Sequence, residues 1–448
     1  MTAEKINSMV QQIIFITVTI LAFTILAWSF SRVFRIIKIL KNPYPIFPLK
    51  PRIKRFFTNG IFQKRILRFP FAGILHALVF WGFLMILFSS FEMLLDGLFG
   101  TERILLFLGP VYDFLMAMGD IFGLIIAVAI IIFLIRRFFH LVKRFSGVEM
   151  THKSHLDANF ALTLILILMI SLLLINASYV AMGGKEGCFP IGKILANTFF
   201  AATSTATLNN IYHINWWVHI LTIFFFMNYL PYSKHFHVFM SLPNVFFSRL
   251  TPLTKMYNME RVTKEVKLVM SGNAFDQSAE APEEIERFGM KDVQDGTWKN
   301  YTDSLTCTQC GRCTSVCPAN LTGKLLSPRK IVMNYRTRIT EIMGGLLKEG
   351  KYFQDDKSLL GNYISKEELW ACTTCNACAQ ECPLNIDHPS IILEMRRYLV
   401  MEESSAPPPI NTMFSNTENN GAPWQYPPHE RIKWAEELYI NEISMSNK

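Results

Sequence analysis

Four runs of this chain carry almost no charge over the roughly 20 residues needed to cross a bilayer. They cover about 10–34, 69–91, 121–135 with its upstream turns from Asp113, and 158–182. A fifth runs from about Ile211 to His237 and holds one lysine near its end. Asp113 and Asp120 interrupt the third run, which makes it the weakest of the set. These runs predict a five-helix transmembrane bundle. From about residue 246 the chain carries charges throughout and reads as a soluble protein.

The loops between the runs differ in charge. Lys41–Arg68 holds eight Lys/Arg and no acid, and Arg136–Lys153 holds five. The loops after the second and fourth runs hold only Arg103, Lys185 and Lys193. Basic loops stay in the cytoplasm. The N-terminus is therefore expected outside a cell (inner) membrane, and the C-terminal half inside. The net charge of +9 comes largely from these juxtamembrane residues and predicts contact with anionic lipid. No basic–aromatic pattern supports nucleic acid as a partner. The first run is too long for a signal-peptide core and no A-x-A-type site follows it, so it is expected to be retained.

Eight of the nine cysteines fall in two copies of C-x2-C-x2-C-x3-C-P. The first is Cys307, Cys310, Cys313 and Cys317 before Pro318; the second is Cys372, Cys375, Cys378 and Cys382 before Pro383. This spacing wraps cubane [4Fe–4S] clusters, and in two-cluster ferredoxins the fourth cysteine ligates the other cluster. One cluster is thus expected on Cys307, Cys310, Cys313 and Cys382, and the other on Cys372, Cys375, Cys378 and Cys317. Zinc also takes four ligands, but rarely in this tight run with proline after the last. Because both motifs lie on the reducing side, no disulfide framework is expected. Cys188, alone in an outer loop, reads as a packed residue.

The expected organisation is a membrane domain over 1–245, then an amphipathic segment and linker over 246–281, with Gly, Ser and Ala enriched from Ser271 to Ala281. A helical dicluster ferredoxin-like domain covers 282–403, and a polar tail follows the SSAPPP stretch, 404–448. Within the cluster domain, Ser327-Pro328 opens a helix that continues to Met343 and is weakened by Gly344-Gly345. Glu367–Trp370 leads into the second motif, and Pro389–Met401 reads as a further helix. Strand patterns are nearly absent, so the fold class is all-α.

Three histidines lie in the apolar runs, where ionisable groups are costly and usually functional. His76 sits eight residues past Arg68, ~12 Å into the inner half at ~1.5 Å per residue. His219 and His237 are 18 residues apart, about five turns, and so share one face ~27 Å apart along the axis. Two ligands so placed suit stacked haems, although Pro231 between them can kink the helix. Depth pairs His76 with His237. His213, His235, Trp216 and Trp217 read as interfacial. Asp120, toward the outer face, is either a proton acceptor or an interfacial polar residue.

The membrane half resembles the gamma subunit of respiratory nitrate reductase, a five-span dihaem protein that exchanges electrons with quinone. The resemblance lies in Gly73-Ile-Leu-His76, and in His219 followed by Pro231-Tyr-Ser-Lys-His-Phe-His237. It implies that His76 and His237 hold a haem b near the cytoplasm and that His219 is one ligand of an outer haem. The family's second ligand on span two falls on Ile86 here, which leaves the second haem open. The soluble half resembles the iron–sulfur C subunit of heterodisulfide reductase, through Thr297-Trp-Lys299, Cys307–Pro318, Gly323-Lys324, Ser327-Pro-Arg329 and Trp370–Pro383. In fused relatives, segments like 416–424 and 431–438 lead into a cysteine-rich domain with CCG motifs. The resemblance implies that this domain is a separate polypeptide partner here.

Together these features predict a membrane-bound electron-transfer subunit of a quinone-linked oxidoreductase. It would pass electrons between membrane quinone and haem b and a soluble partner, such as a flavoprotein, through two [4Fe–4S] clusters. The catalytic residues would lie on the partner. Two alternatives stand beside this: a haem-free membrane anchor for a ferredoxin domain, and a transporter with a redox-sensing domain that uses His76, His219 and Asp120 as a proton relay.

Overall fold

The computed structural model describes residues 3–271, 287–431 and 433–438. The expected linker beyond Ser271 and the last ten residues of the tail lie outside the described residues. Contacts divide the chain into two units, Met1–Glu280 with Lys291–Ile392, and Ala281–Met290 with Leu393–Lys448.

The N-terminal part of the first unit is helical throughout. Its helices are α1 (Ala3–Ile39), α2 (Leu49–Arg55), α3 (Pro70–Phe99), α4 (Pro110–Phe138), α5 (His152–Ala181), α6 (Pro190–Phe199), α7 (Thr205–Tyr229), α8 (His237–Phe246) and α9 (Glu260–Met270). The starts follow from local chemistry. Proline opens α3, α4 and α6 at a position whose N–H has no helical partner. Thr151 and Ser204 cap α5 and α7 by accepting the N–H of Ser154 and Thr207. Four helices are long and apolar enough to cross a membrane: α1 from Met9, α3, α4 and α5. Helix α7 falls outside that set, yet it runs the depth of α5. The Tyr212 ring lies 6.5 Å from Tyr179 near one end of α5, and the Tyr229 hydroxyl donates to Asp157 at the other. The core between α3, α4 and α5 is Ile86, Ile126, Ile130, Leu168, Met169 and Leu172. Phe15 of α1 packs on Trp216, Trp217 and Phe224 of α7.

Two expectations are corrected here. The third run is a complete helix of 29 residues, because Asp120 is satisfied inside the bundle. Its carboxylate accepts from Asn176 Nδ2 (2.9 Å) and from the backbone N–H of Ile191 (2.7 Å) and Gly192 (3.0 Å). The last two are unpaired donors in the first turn of α6, where a negative charge is favoured. Asp120 is therefore a helix-capping residue. The fifth run does not carry His219 and His237 on one helix. Pro231, which lacks an N–H, follows the end of α7 at Tyr229, and two 3-10 turns replace the last turns. Asp157 stabilises that break, accepting from Ser233 Oγ (2.6 Å) and the Lys234 N–H (2.9 Å). His237 instead begins α8.

The cysteine-bearing part of the first unit continues with α10 (Trp298–Thr306), α11 (Arg312–Ser315), α12 (Pro318–Leu321), α13 (Pro328–Glu349), α14 (Lys366–Trp370), α15 (Ala377–Glu381) and the start of α16 (His388–Met401); the rest of α16 and α17 (Pro408–Asn420) belong to the second unit. Among the described residues there are no strands, only the isolated bridges Lys41–Thr297 and Leu360–Ile364. Ser327 caps α13 as its sequence predicts. The helix runs on through Gly344-Gly345, where weakening is expected, because Phe353 packs against it. A Cβ on Gly345 would lie 2.3 Å from the Phe353 ring, so this glycine admits a close contact.

Candidate functional site

The two cysteine loops are near-copies in backbone as well as in sequence. Each follows a short helix with a capping box, Thr297/Asn300 before α10 and Ser365/Glu368 before α14. Each places left-handed residues on both sides of its second cysteine: Gln309 (φ 58°) and Gly311 (φ 74°), then Thr374 (φ 54°) and Asn376 (φ 60°). Each ends in a single helical turn and an extended fourth cysteine, with φ, ψ of −77°, 117° at Cys317 and −66°, 121° at Cys382. The repeated left-handed steps curl each loop, and in the first of them Cys307, Cys310 and Cys313 line one pocket.

Cys307, Cys310, Cys313 and Cys382 line one small pocket, together with Arg312, Arg329, Leu384, Ile386 and His388. The first loop and the fourth cysteine of the second loop thus meet. Burial pushes the thiols of Cys307 and Cys382 up to about 11 and about 12, and raises those of Cys313 and Cys378. After burial, the groups acting on Cys313 are led by Cys310, Cys307 and Cys382, and those acting on Cys378 by Cys372 and Cys317. A thiolate in these loops therefore needs a cationic centre beside it. Among the described residues no three His, Cys, Asp or Glu side chains converge on a single-ion position. Four thiols lining one pocket supply the donor set of a [4Fe–4S] cluster. All nine cysteines are free and Cys375 is exposed; Cys188 is exposed too, so it is not the packed residue its sequence context suggests.

Several residues of the basic loops dock the cysteine loops, while Lys50, Lys54 and Lys64 stay exposed. Arg65 donates to the Cys382 carbonyl (2.9 Å) and Arg144 to that of Cys310 (3.0 Å). From the opposite side, Arg312 donates to the carbonyls of Arg65 (2.9 Å) and Ile66 (3.2 Å). Buried Arg329 pairs with Glu149 (2.7 Å) and donates to the carbonyls of Arg144 (2.7 Å) and Ser146 (3.0 Å). Burial opposes the charge of Glu149, but hydrogen bonds from Ser327 and the Arg329 guanidinium hold its carboxyl below the ordinary value. Asn244 of α8 donates to Asp303 Oδ1 (2.9 Å) and to the Leu384 carbonyl (3.1 Å). Both basic loops and both cysteine motifs therefore sit at one end of the helix bundle. Sequence reasoning misses these arginines because a backbone carbonyl acceptor leaves no mark in a sequence. It also misses His388, a fully buried wall of the cavity whose Nδ1 has no hydrogen-bond partner.

The histidines lie at two levels. His237 and Arg312 are close enough to His76 to act on its charge. Lys234, three residues before His237, donates to Gln309 Oε1 (3.1 Å) inside the first cysteine loop. The His76/His237 level and the first cysteine loop are thus neighbours. His219 lies deeper in the bundle and is 1% exposed. Its Nδ1 is 3.0 Å from the Leu168 carbonyl and 2.9 Å from Ser171 Oγ, while its buried Nε2 has no partner. An orphaned imidazole nitrogen in an apolar core fits a metal ligand. Ile86 cannot supply the opposite ligand, and it is packed into the core.

Residues 306–386 match the 4Fe-4S dicluster domain family. The probable iron–sulfur-binding oxidoreductase FadF of Bacillus subtilis is 28% identical over 425 residues, 88% of this chain and 56% of that protein. The EtfAB:quinone oxidoreductase of Syntrophomonas wolfei is 26% identical over 418 residues, 88% of this chain and 55% of that protein. The C subunit of the ferredoxin/F420H2-dependent CoB-CoM heterodisulfide reductase of Methanosarcina acetivorans is 34% identical over 101 residues, 22% of this chain and 48% of that protein. This chain spans just over half the length of the first two relatives. No solved structure matches it. The chain is a homologue of iron–sulfur oxidoreductases, with a 4Fe–4S dicluster ferredoxin domain at 306–386 behind helices suited to a membrane.

Proposed function

We propose that this protein is the membrane-bound electron-transfer part of a quinone-linked oxidoreductase, joining membrane quinone to a soluble partner. Cys307, Cys310, Cys313 and Cys382 would hold one [4Fe–4S] cluster, and Cys372, Cys375, Cys378 and Cys317 the other. His76 and His237 would hold one haem b, and His219 is the candidate ligand for a second. When bound, these groups accept and release single electrons. The single observation that carries this reading is the contact between the His76/His237 level and the first cysteine loop, through Lys234–Gln309 and Arg312–Ile66.

The chain's own residues set the order of the centres. The loop of Cys307 and Cys313 is buried against the bundle, whereas Cys375 is exposed. The second loop is therefore the face for a soluble partner, and the first is the face toward the membrane. Arg312 and Arg329 line the first cavity, where their charges offset those of thiolates. Helix α7 is read as the fifth crossing, because it spans the depth of α5 and returns the chain to the end that holds both basic loops. That end is the cytoplasmic one by charge. Quinone stands in the name of one relative, and the heterodisulfide reductase relative is by name one part of an assembly. A separate polypeptide with a cysteine-rich CCG domain, or a soluble flavoprotein, is the partner in this reading.

Substituting His76→Ala or His237→Ala tests it. Either change is expected to remove the reduced b-type absorbance and to stop quinol from reducing the clusters, with iron content unchanged. Anaerobically purified wild-type protein holding about eight non-haem irons but no b-type spectrum would overturn the haem part of the proposal. It would leave the haem-free anchor in its place.

A further inference from the structure

We propose that Gln63 is the positioning residue for His76: its side-chain carbonyl takes the Nδ1–H of the imidazole and so reserves Nε2 for a metal. This rests on the reading of His76 as a haem ligand. The three candidate histidines share one feature. Each has Nδ1 beside a carbonyl-type oxygen: Gln63 Oε1 for His76 (3.0 Å), Leu168 O for His219 (3.0 Å) and Lys234 O for His237 (3.4 Å). A neutral imidazole that donates from Nδ1 has its lone pair on Nε2. Metal-binding histidines are oriented in this way, and the acceptor also sets how basic the ligand is. His219 also has Ser171 Oγ at 2.9 Å beside its backbone acceptor, so at His76 alone does one substitution remove the carbonyl-type acceptor.

Several observations mark Gln63 as held in place for the purpose. It is 2% exposed, unusual for a glutamine, and its backbone is left-handed at φ 50°. A non-glycine residue keeps such a conformation only where its surroundings impose it. Its own carbonyl accepts the N–H of Ile66 (2.8 Å) and Leu67 (3.1 Å), forming the turn that feeds α3. That turn is gripped by Arg312 at the carbonyls of Arg65 and Ile66, and Arg65 in turn holds the Cys382 carbonyl. The amide that orients His76 thus belongs to the loop locked against the first cysteine site.

The test compares Gln63→Glu, Gln63→Leu and His76→Ala in the full-length protein in detergent. Glutamate keeps an acceptor and makes it stronger, so the imidazole becomes more basic and the haem midpoint potential is expected to fall. Leucine removes the acceptor, so the potential is expected to rise, and the low-spin ferric EPR g-values should shift as the ring reorients. Should the leucine variant fail to fold, the glutamate variant decides by the direction of its shift. A wild-type potential and wild-type g-values in both variants, with haem lost in His76→Ala, would overturn the role of Gln63 alone. A b-type spectrum that survives His76→Ala would overturn both this role and the ligand reading beneath it.

Discussion

Gly311 and Asn376 occupy matching left-handed positions in the two cysteine loops, and the difference between them is a prediction about docking. A Cβ on Gly311 would lie 2.4 Å from the Arg144 carbonyl oxygen and 2.8 Å from Arg329 Nη1. The first of these is backbone, which cannot swing aside. Gly311→Asn keeps a residue that tolerates positive φ, so the perturbation is steric and not conformational. The loop carrying Arg144 has to retreat. Retreat breaks the Arg144–Cys310 hydrogen bond (3.0 Å) and the Arg329–Arg144 hydrogen bond (2.7 Å). Hydrogen bonds from charged donors are worth about 1.5–3 kcal/mol each, so the loss is about 3–6 kcal/mol. Hydrogen exchange over residues 139–151 reads this directly as local opening. At about 1.4 kcal/mol per tenfold, exchange should speed up by at least about a hundredfold. The reciprocal change, Asn376→Gly, puts glycine where a left-handed backbone suits it and gives up only the hydrogen bond from Asn376 Nδ2 to the Thr374 carbonyl (3.1 Å), so it should cost no more than about 0.5–1.5 kcal/mol. Exchange in Gly311→Asn within about threefold of wild type, or equal effects from both changes, would refute the reasoning, since ~0.6 kcal/mol is less than either bond.

Other tests follow from single residues. Asp120→Ala strands Asn176 and two helix N–H donors in the bundle and should cost about 2–4 kcal/mol, read as a lower unfolding temperature in detergent; Asp120→Asn, which keeps one acceptor oxygen, should cost less. In protein stripped of iron, alkylation should reach exposed Cys375 well before Cys307. Burial lifts the Cys307 thiol to about 11, so its rate should climb with pH up to about that value; equal rates for the two at neutral pH would contradict the burial argument. Glu149 is held below its ordinary value of 4.5, so its stabilising contribution is complete above that pH and is lost as pH falls through the lower folded value. Exchange over 139–151 should therefore rise in that acid range, and the rise should vanish in Glu149→Gln.

The parts of this molecule written in local pattern were legible in its residues. Cysteine spacing locates both loops, and runs of Phe, Ile and Leu locate the four long apolar helices but not their ends: α3 continues to Phe99, well past the end of its run at 91. Ser327-Pro328 announces α13. What escaped depends on contacts between distant segments. Nothing near Tyr229 says that Asp157, some seventy residues earlier, will hold the chain ends freed beyond Pro231. The run of arginines in 41–68 has the same composition whether it meets lipid or carbonyl oxygens, and only the folded loop reveals Arg65 at Cys382. Asp120 looked like an interruption because its three partners arrive from α5 and α6. Gly345 looked like a weak point because Phe353 is not part of its helix.

The arginine grip on the cysteine loops has a practical corollary for anyone cutting this protein apart. Severed near residue 271, a fragment bearing both motifs would carry the carbonyls of Cys310, Cys382 and Leu384 without the guanidinium and amide groups that now cover them. It would also present Arg312 and Arg329 with no oxygen atoms to meet. A fragment bearing the cysteine loops should therefore be expressed together with the helices and loops that cover them.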